Sequence, residues 1–352
     1  MNTTWTPVTV GNLNLPHRLA LAPMTRSRAL YDGTPGTYSA EYYEQRASMG
    51  LLISEGTQPS EDGQGYLSSP GIYTEEHIKG WKQITDRVHQ AGGYLFIQLM
   101  HAGRMSHPEN TPHHRQPVAP SAITPKAQMY TAKGMQDIPT PRELSLKEIQ
   151  ETIQDFRKAA ASAIEAGADG VEIHGANGYL VHQFISENAN VRTDSYGGSI
   201  ENRARFAIEV AKAVAEEIGA SRTAIRLSPG VPLGDIIEGT DGPKVYEYLI
   251  SELAKLNLAY LHILHGGDEE NLQNIRSTWS NVLIVNRPGR PLEELDRDLN
   301  NNLADIVSVG TLALANPDLV KRLKSGATLN EADPKTFYGG DSHGYTDYPT
   351  MK

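Results

Sequence analysis

The chain has 352 residues, 39% of them hydrophobic and 21% charged, with a formal net charge of −10 and no cysteine. This length and balance fit one elaborated globular domain spanning 1–352 and exclude a basic field for nucleic acid or an anionic membrane surface. The absence of cysteine excludes disulfides, thiolate metal sites and cysteine nucleophiles, so redox chemistry has to come from a bound cofactor. With no leader-like N-terminus and no 18-residue apolar run, a cytoplasmic location is expected.

In chain order, Val8–Val10 and Leu13–Leu15 flank Gly11-Asn12, a hairpin signal ahead of the first core strand, where a short ribbon can close a barrel floor. Eight short apolar runs come next: Leu19–Ala22, Leu51–Ser54, Leu95–Leu99, Gly170–Ile173, Ala224–Leu227, Tyr260–Leu264, Val282–Val285 and Ile306–Val309. Amphipathic stretches such as Leu146–Ala166, Ile200–Ile218 and Lys244–Lys255 lie between them. Apolar runs alternating with helices are parallel strands buried on both faces, and eight such units predict an α/β fold, the (β/α)₈ TIM barrel. An open doubly wound sheet is the runner-up, but no glycine-rich phosphate loop follows the first strand. Between strands three and four, the Pro-, His- and Gly-rich stretch 105–143 reads as strandless apart from Gln128–Ala132. At that length it is expected to be an active-site lid or small subdomain.

Barrel active sites lie where the strands end, so the polar residue after each run is informative. Strand one leads into Pro23-Met24-Thr25, strand two into Glu55-Gly56-Thr57, and strand three ends in Gln98 with His101 beyond it. Strand four leads into His174-Gly175-Ala176-Asn177-Gly178-Tyr179, and strand five carries Arg226. Singly, each could cap a helix or satisfy loop backbone; together they suit a planar polar ring better than a metal. His101, His107, His113 and His114 have no carboxylate or cysteine at ligand spacing, so no metal is expected. No lysine stands at a strand end to form a Schiff base, and Glu55 and Glu172 read more simply as paired interior carboxylates than as general bases.

The segments Ala22-Pro23-Met24-Thr25-Arg26, His174-Gly175-Ala176-Asn177-Gly178-Tyr179-Leu180 and Tyr196-Gly197-Gly198-Ser199-Ile200-Glu201-Asn202-Arg203 resemble signatures of the Old Yellow Enzyme family. The likeness includes Glu41-Tyr42-Tyr43-Glu44-Gln45-Arg46-Ala47 and reaches Phe337-Tyr338-Gly339-Gly340 and Gly344-Tyr345-Thr346-Asp347-Tyr348-Pro349. The resemblance implies an ene reductase that carries FMN, takes electrons from NADPH or NADH, and passes hydride to the β-carbon of an activated alkene. It places cofactor contacts on Pro23, Met24, Thr25, the Gly56 backbone, Gln98 and Arg226. It makes His174 and Asn177 the donors to the substrate's carbonyl or nitro oxygen and Tyr179 the proton donor. Tyr66, Met100 and Tyr338 match pocket walls, although the aromatics could also be plain packing residues. Its partner is a small-molecule alkene, and the enzyme would be a monomer or homodimer.

One part of the chain departs from that family. The flavin phosphate is usually held there by glycine-rich backbone after strand seven and a Gly-Arg pair after strand eight. Here strand seven leads into Asn286-Arg287-Pro288-Gly289-Arg290-Pro291, and strand eight into Gly310-Thr311. Three expectations compete: Arg287 or Arg290 replaces the missing arginine and FMN binds as usual; the tail site is rebuilt for the deazaflavin coenzyme F-420; or the barrel is a non-catalytic binding protein. The retained Gln98, Arg226, His174, Asn177 and Tyr179 argue against the last.

Overall fold

Apolar runs with no polar face become the eight parallel strands of a closed barrel in the computed structural model, which describes residues 3–351. The strands are Leu19–Leu21, Leu51–Ile53, Leu95–Leu99, Gly170–Gly175, Thr223–Leu227, Tyr260–Leu264, Val282–Asn286 and Ile306–Val309. Each predicted run is a strand, with its ends moved by at most a residue or two. The fourth extends to Gly175, so His174 belongs to the strand and not to the loop beyond it. Strand eight pairs with strand one, Val307 opposite Leu19, and closes the barrel.

Side chains alternate along a strand, so each strand feeds two cores. Outward residues such as Val171, Ile173, Ile225 and Leu261 pack with the helices. Inward residues, among them Ala20, Phe96, Ala224, Tyr260, Ile284 and Ile306, form a separate core within the barrel. The hairpin pairing Val8–Val10 with Leu13–Leu15 plugs that inner core with Val10 and Leu15. Its turn lies so close to the barrel that a Cβ on Gly11, at φ +53°, would sit 1.9 Å from the Ser221 carbonyl oxygen.

Two residues further along the strands the inward positions become polar. Gln98 stands opposite Glu172, Arg226 opposite both His174 and His262, and Asn286 opposite Ser308. An apolar floor and a polar ceiling thus follow from a period of two within each strand.

The helices begin and end as their sequences require. Leu146–Glu165 opens with a capping box between Ser145 and Glu148, and Ile200–Ile218 is capped by the Ser199 side chain. The third predicted helix is Gly242–Ala254, starting two residues early around Pro243. In the 105–143 stretch the one expected strand is present as Gln128–Thr131, and three more accompany it. Gln128–Thr131 forms a hairpin with Gly134–Asp137, and Val118–Ala119 pairs in parallel with Arg142–Glu143. Gly134–Asp137 and Arg142–Glu143 have no buried residue, and Val118–Ala119 is only two residues long, so no apolar run announces them. Met105, Met129 and Ile138 cluster with Tyr66, Ala127 and Tyr179, which sets the segment over the C-terminal mouth of the barrel. Among the described residues no helix is long and apolar enough to cross a membrane.

Candidate active site

Two connected cavities open at that mouth. The first, of about 300 Å³, is lined by Pro23, Met24, Thr25, Gly56, Gln98, Met100, His174, Asn177, Tyr179, Arg226, Thr311 and Tyr338. Residues from six strand ends and from the C-terminal segment therefore meet in one place. Arg26, Leu314 and Phe337 also line it and were not singled out from sequence. Gly56 lies under Met100, whose sulfur would stand 2.5 Å from any Cβ at position 56, so a side chain there would require Met100 to move.

At the base of this cavity Arg226 is buried. Its Nη2 donates to Asn286 Oδ1 at 3.0 Å, while its Nε has no partner. The Asn286 amide nitrogen is held by the Ser308 carbonyl at 2.9 Å, so Asn286 steadies Arg226 while also lining the second cavity. Burial lowers the Arg226 pKa and Glu172 opposes that, and a guanidinium keeps its charge in either case. Gln98 donates its Nε2 to Glu172 Oε1 at 2.8 Å, which leaves its amide oxygen free to accept. Glu172 Oε2 pairs with His262 Nδ1 at 2.8 Å, and His262 Nε2 with the Ser308 hydroxyl at 2.9 Å. Burial works to raise the Glu172 pKa, but His262, Arg226 and the Gln98 amide outweigh it and the net shift is downward. Glu172 is thus the paired interior carboxylate expected from sequence. Its partners His262 and Ser308 were missed, though each lies two residues past an inward apolar residue. Glu55 accepts from the Arg26 backbone at 2.9 Å, and burial lifts its pKa to about 7.

Above this base, the end of strand four and the turn after it present three more groups. His174 Nδ1 accepts the Ala176 N–H at 3.2 Å, so the proton sits on Nε2. Burial and the nearby Arg226 hold its pKa well below 6.5, and it is a neutral donor. Asn177 adopts φ +59°, its backbone N–H donates to Ser228 Oγ at 3.0 Å, and its Oδ1 is buried without a partner. Gly178 N–H bonds His182 Nδ1 at 3.1 Å, and His182 Nε2 meets Glu238 at 2.9 Å, which anchors the turn from below. Tyr179 shares a 2.9 Å hydrogen bond with the Tyr66 hydroxyl, the two rings being perpendicular at 88°. Burial, with Tyr66 adding to it, raises the Tyr179 pKa well above 10, so the phenol stays protonated.

The second cavity, of about 470 Å³, lies between strands seven and eight and shares Pro23, Met24 and Thr311 with the first. Asn286, Arg287, Gly310 and Thr311 line it, as do Arg290 and Asp298. Arg287, expected as a free cation for a phosphate, is ion-paired to Asp298 at 2.7 Å and to Glu269, and Arg290 is paired to Asp298 at 2.7 Å. Sequence reasoning missed Asp298 because it sits in the charged run Glu293-Glu294-Leu295-Asp296-Arg297-Asp298, which reads as a solvated face.

The outer wall comes from the far end of the chain. Arg26 Nε and Nη2 donate to the Phe337 and Gly344 carbonyls, both at 3.1 Å, and Arg28 Nε donates to Asp341 O at 3.0 Å. The Tyr42 and Tyr345 rings stack at 4.3 Å, with the Arg46 guanidinium 3.9 Å from the Tyr42 ring centre. Among the described residues no three His, Asp or Glu side chains gather as a metal site; His113, for one, bonds the Glu61 carbonyl at 3.0 Å.

Residues 4–330 match the model of the NADH:flavin oxidoreductase / NADH oxidase family. The chain is similar to 12-oxophytodienoate reductase 1 of Oryza sativa subsp. japonica, 43% identical over 99% of this chain and 93% of the relative. It is also similar to 12-oxophytodienoate reductase 2 of Arabidopsis thaliana, at 40% identity over 99% and 95%. Among solved structures it matches morphinone reductase in complex with tetrahydroNAD at a TM-score of 0.95 and 42% identity, covering 99% and 98%. The Old Yellow Enzyme homologue of Zymomonas mobilis matches at 0.96 and 36%, covering 99% and 100%. These relatives support neither the deazaflavin F-420 nor a non-catalytic barrel.

Proposed function

The chain belongs to the NADH:flavin oxidoreductase / NADH oxidase family, and we propose how its two cavities carry out that chemistry. Its activity is that of an ene reductase, an FMN-dependent oxidoreductase supplied by NADH or NADPH. The residues at the base of the first cavity fit an isoalloxazine ring. Arg226 keeps a buried Nε without a partner for an anionic edge, and Gln98 keeps an amide oxygen for a ring N–H. Pro23, Met24, Thr25 and the Gly56 backbone form the wall along that ring.

When bound, the flavin supplies hydride to the β-carbon of an α,β-unsaturated carbonyl or nitro compound. His174 Nε2 and the Asn177 amide grip the substrate oxygen. Charge moves onto that oxygen as the alkene is reduced, so donors fixed beforehand lower the barrier. Tyr179 gives its proton to the α-carbon, and its hydrogen bond to Tyr66 offers a path for replacing that proton. Met100, Tyr66, Tyr338 and the 105–143 segment, acting as a lid, shape the space left for the alkene. The reading is of a cytoplasmic enzyme that works as a monomer or homodimer on a small molecule.

The observation that carries this reading is that a neutral His174, Asn177 and a protonated Tyr179, at the end of strand four and on the turn after it, line one cavity with Arg226 and Gln98. Tyr179→Phe tests it by stopped flow. Alkene reduction should slow by roughly 10²–10⁴-fold while flavin reduction by NADPH changes by less than about threefold. Equal damage to both half-reactions would remove Tyr179 from the proton-donor role. Since its pKa lies well above 10, alkene reduction should show no alkaline decline from Tyr179 below that pH.

A further inference from the structure

The second cavity carries its own charge balance. A guanidinium has five N–H donors, and in Arg287 every donor nitrogen already faces an acceptor. Nε and Nη2 reach Asp298 at 2.7 and 3.0 Å, Nη2 also reaches Glu269 Oε2 at 2.9 Å, and Nη1 faces Glu269 Oε1 and His265 Nδ1. Arg290 directs Nη1 and Nη2 to Asp298 at 2.7 and 3.3 Å. The Asp298 side chain is only 2% exposed and lines the cavity beside both arginines. Two guanidinium groups thus meet two carboxylates, and Thr311, which also lines the cavity, adds no charge.

A phosphate dianion entering this space finds every nitrogen of Arg287 engaged and meets Arg290 only through the N–H groups that Asp298 leaves over. It then stands beside the buried Asp298 carboxylate, and like charges at contact disfavour each other. A ribityl chain ending in a hydroxyl disturbs none of these pairs, and 470 Å³ gives it room. We propose that Asp298 is the specificity-determining residue of the cofactor-tail pocket, and that by neutralising Arg287 and Arg290 it makes the enzyme accept riboflavin, a flavin without the phosphate, about as well as FMN. The inference rests on the flavin ring occupying the first cavity as proposed above.

The test is a titration of the flavin-free full chain with riboflavin and with FMN at one ionic strength, read by quenching of flavin fluorescence. The two dissociation constants should agree within about threefold, where an enzyme with a free phosphate-binding arginine separates them by roughly tenfold or more. Asp298→Asn should tighten FMN by roughly tenfold and leave riboflavin unchanged. Glu269→Gln, at a half-exposed carboxylate, should move FMN the same way by a smaller factor, and it keeps the proposal testable where Asp298→Asn fails to fold. A wild-type preference for FMN above about thirtyfold, unaltered by either variant, overturns the proposal. Failure of the wild type to bind either flavin would overturn the ring assignment and this inference together, whereas binding of both with a strong FMN preference overturns this inference alone.

Discussion

The two cavities share a wall yet treat buried charge in opposite ways. In the ring cavity the Nε of Arg226 and the Oδ1 of Asn177 are buried without partners. In the tail cavity both guanidinium groups are committed to Asp298 and Glu269. A buried polar atom left unpaired costs about 1–3 kcal/mol, recovered only when a ligand supplies the missing partner. The ring cavity therefore selects its ligand by hydrogen bonds that the protein cannot make alone. The balanced cavity selects by shape and room.

The comparison breaks most visibly if the polar groups of the ring cavity prove idle. Replacing both His174 and Asn177 with Ala should lower enone turnover by roughly 10³-fold or more, with much smaller loss of thermal stability, because their donors meet a developing oxyanion and not the core. Phenol binding and its charge-transfer absorbance should fall with it; their survival in the double variant would refute the oxygen-binding role. Arg226→Met comes next. Removing the buried cation should weaken both FMN and riboflavin by roughly 10–100-fold, and to the same extent, since Arg226 meets the ring they share. Unequal losses would mean that Arg226 reads the tail. The smallest effect sharpens the other side. Thr311→Arg introduces a guanidinium with no carboxylate waiting for it, and it should tighten FMN by roughly tenfold without changing riboflavin. An equal gain for both flavins would show that charge balance does not govern the tail pocket.

The same contrast explains what could be read from the sequence. Each barrel strand is an apolar run ended by a polar residue, so strand count, closure and the ring cavity's Thr25, Gln98, His174 and Arg226 all followed from local pattern and motif. Glu172 could be read as paired, but the identities of His262 and Ser308 required the register between strands. The tail cavity was readable only as a departure. Arg287 stood out as a cation, but its carboxylates come from a helix start at Glu269 and from the short helix Arg297–Asn300, so its neutralisation is purely tertiary. In the 105–143 stretch Gln128–Thr131 was legible, whereas Gly134–Asp137 and Arg142–Glu143 were missed because polar strands at a surface leave no apolar run to count.

The segment that closes the ring cavity is made after every strand that it closes over. Phe337 and Tyr338 form its outer wall, and Arg26, Arg28 and the stacked Tyr42 hold the stretch from Phe337 to Tyr345 against the loop after strand one. A domain generally folds as a unit. The loop bearing Thr25 and Arg26 therefore gains its clasp only once residues 337–345 have left the ribosome. A stop between residues 310 and 336 would keep the residues of all eight strands and remove the wall that shuts the site.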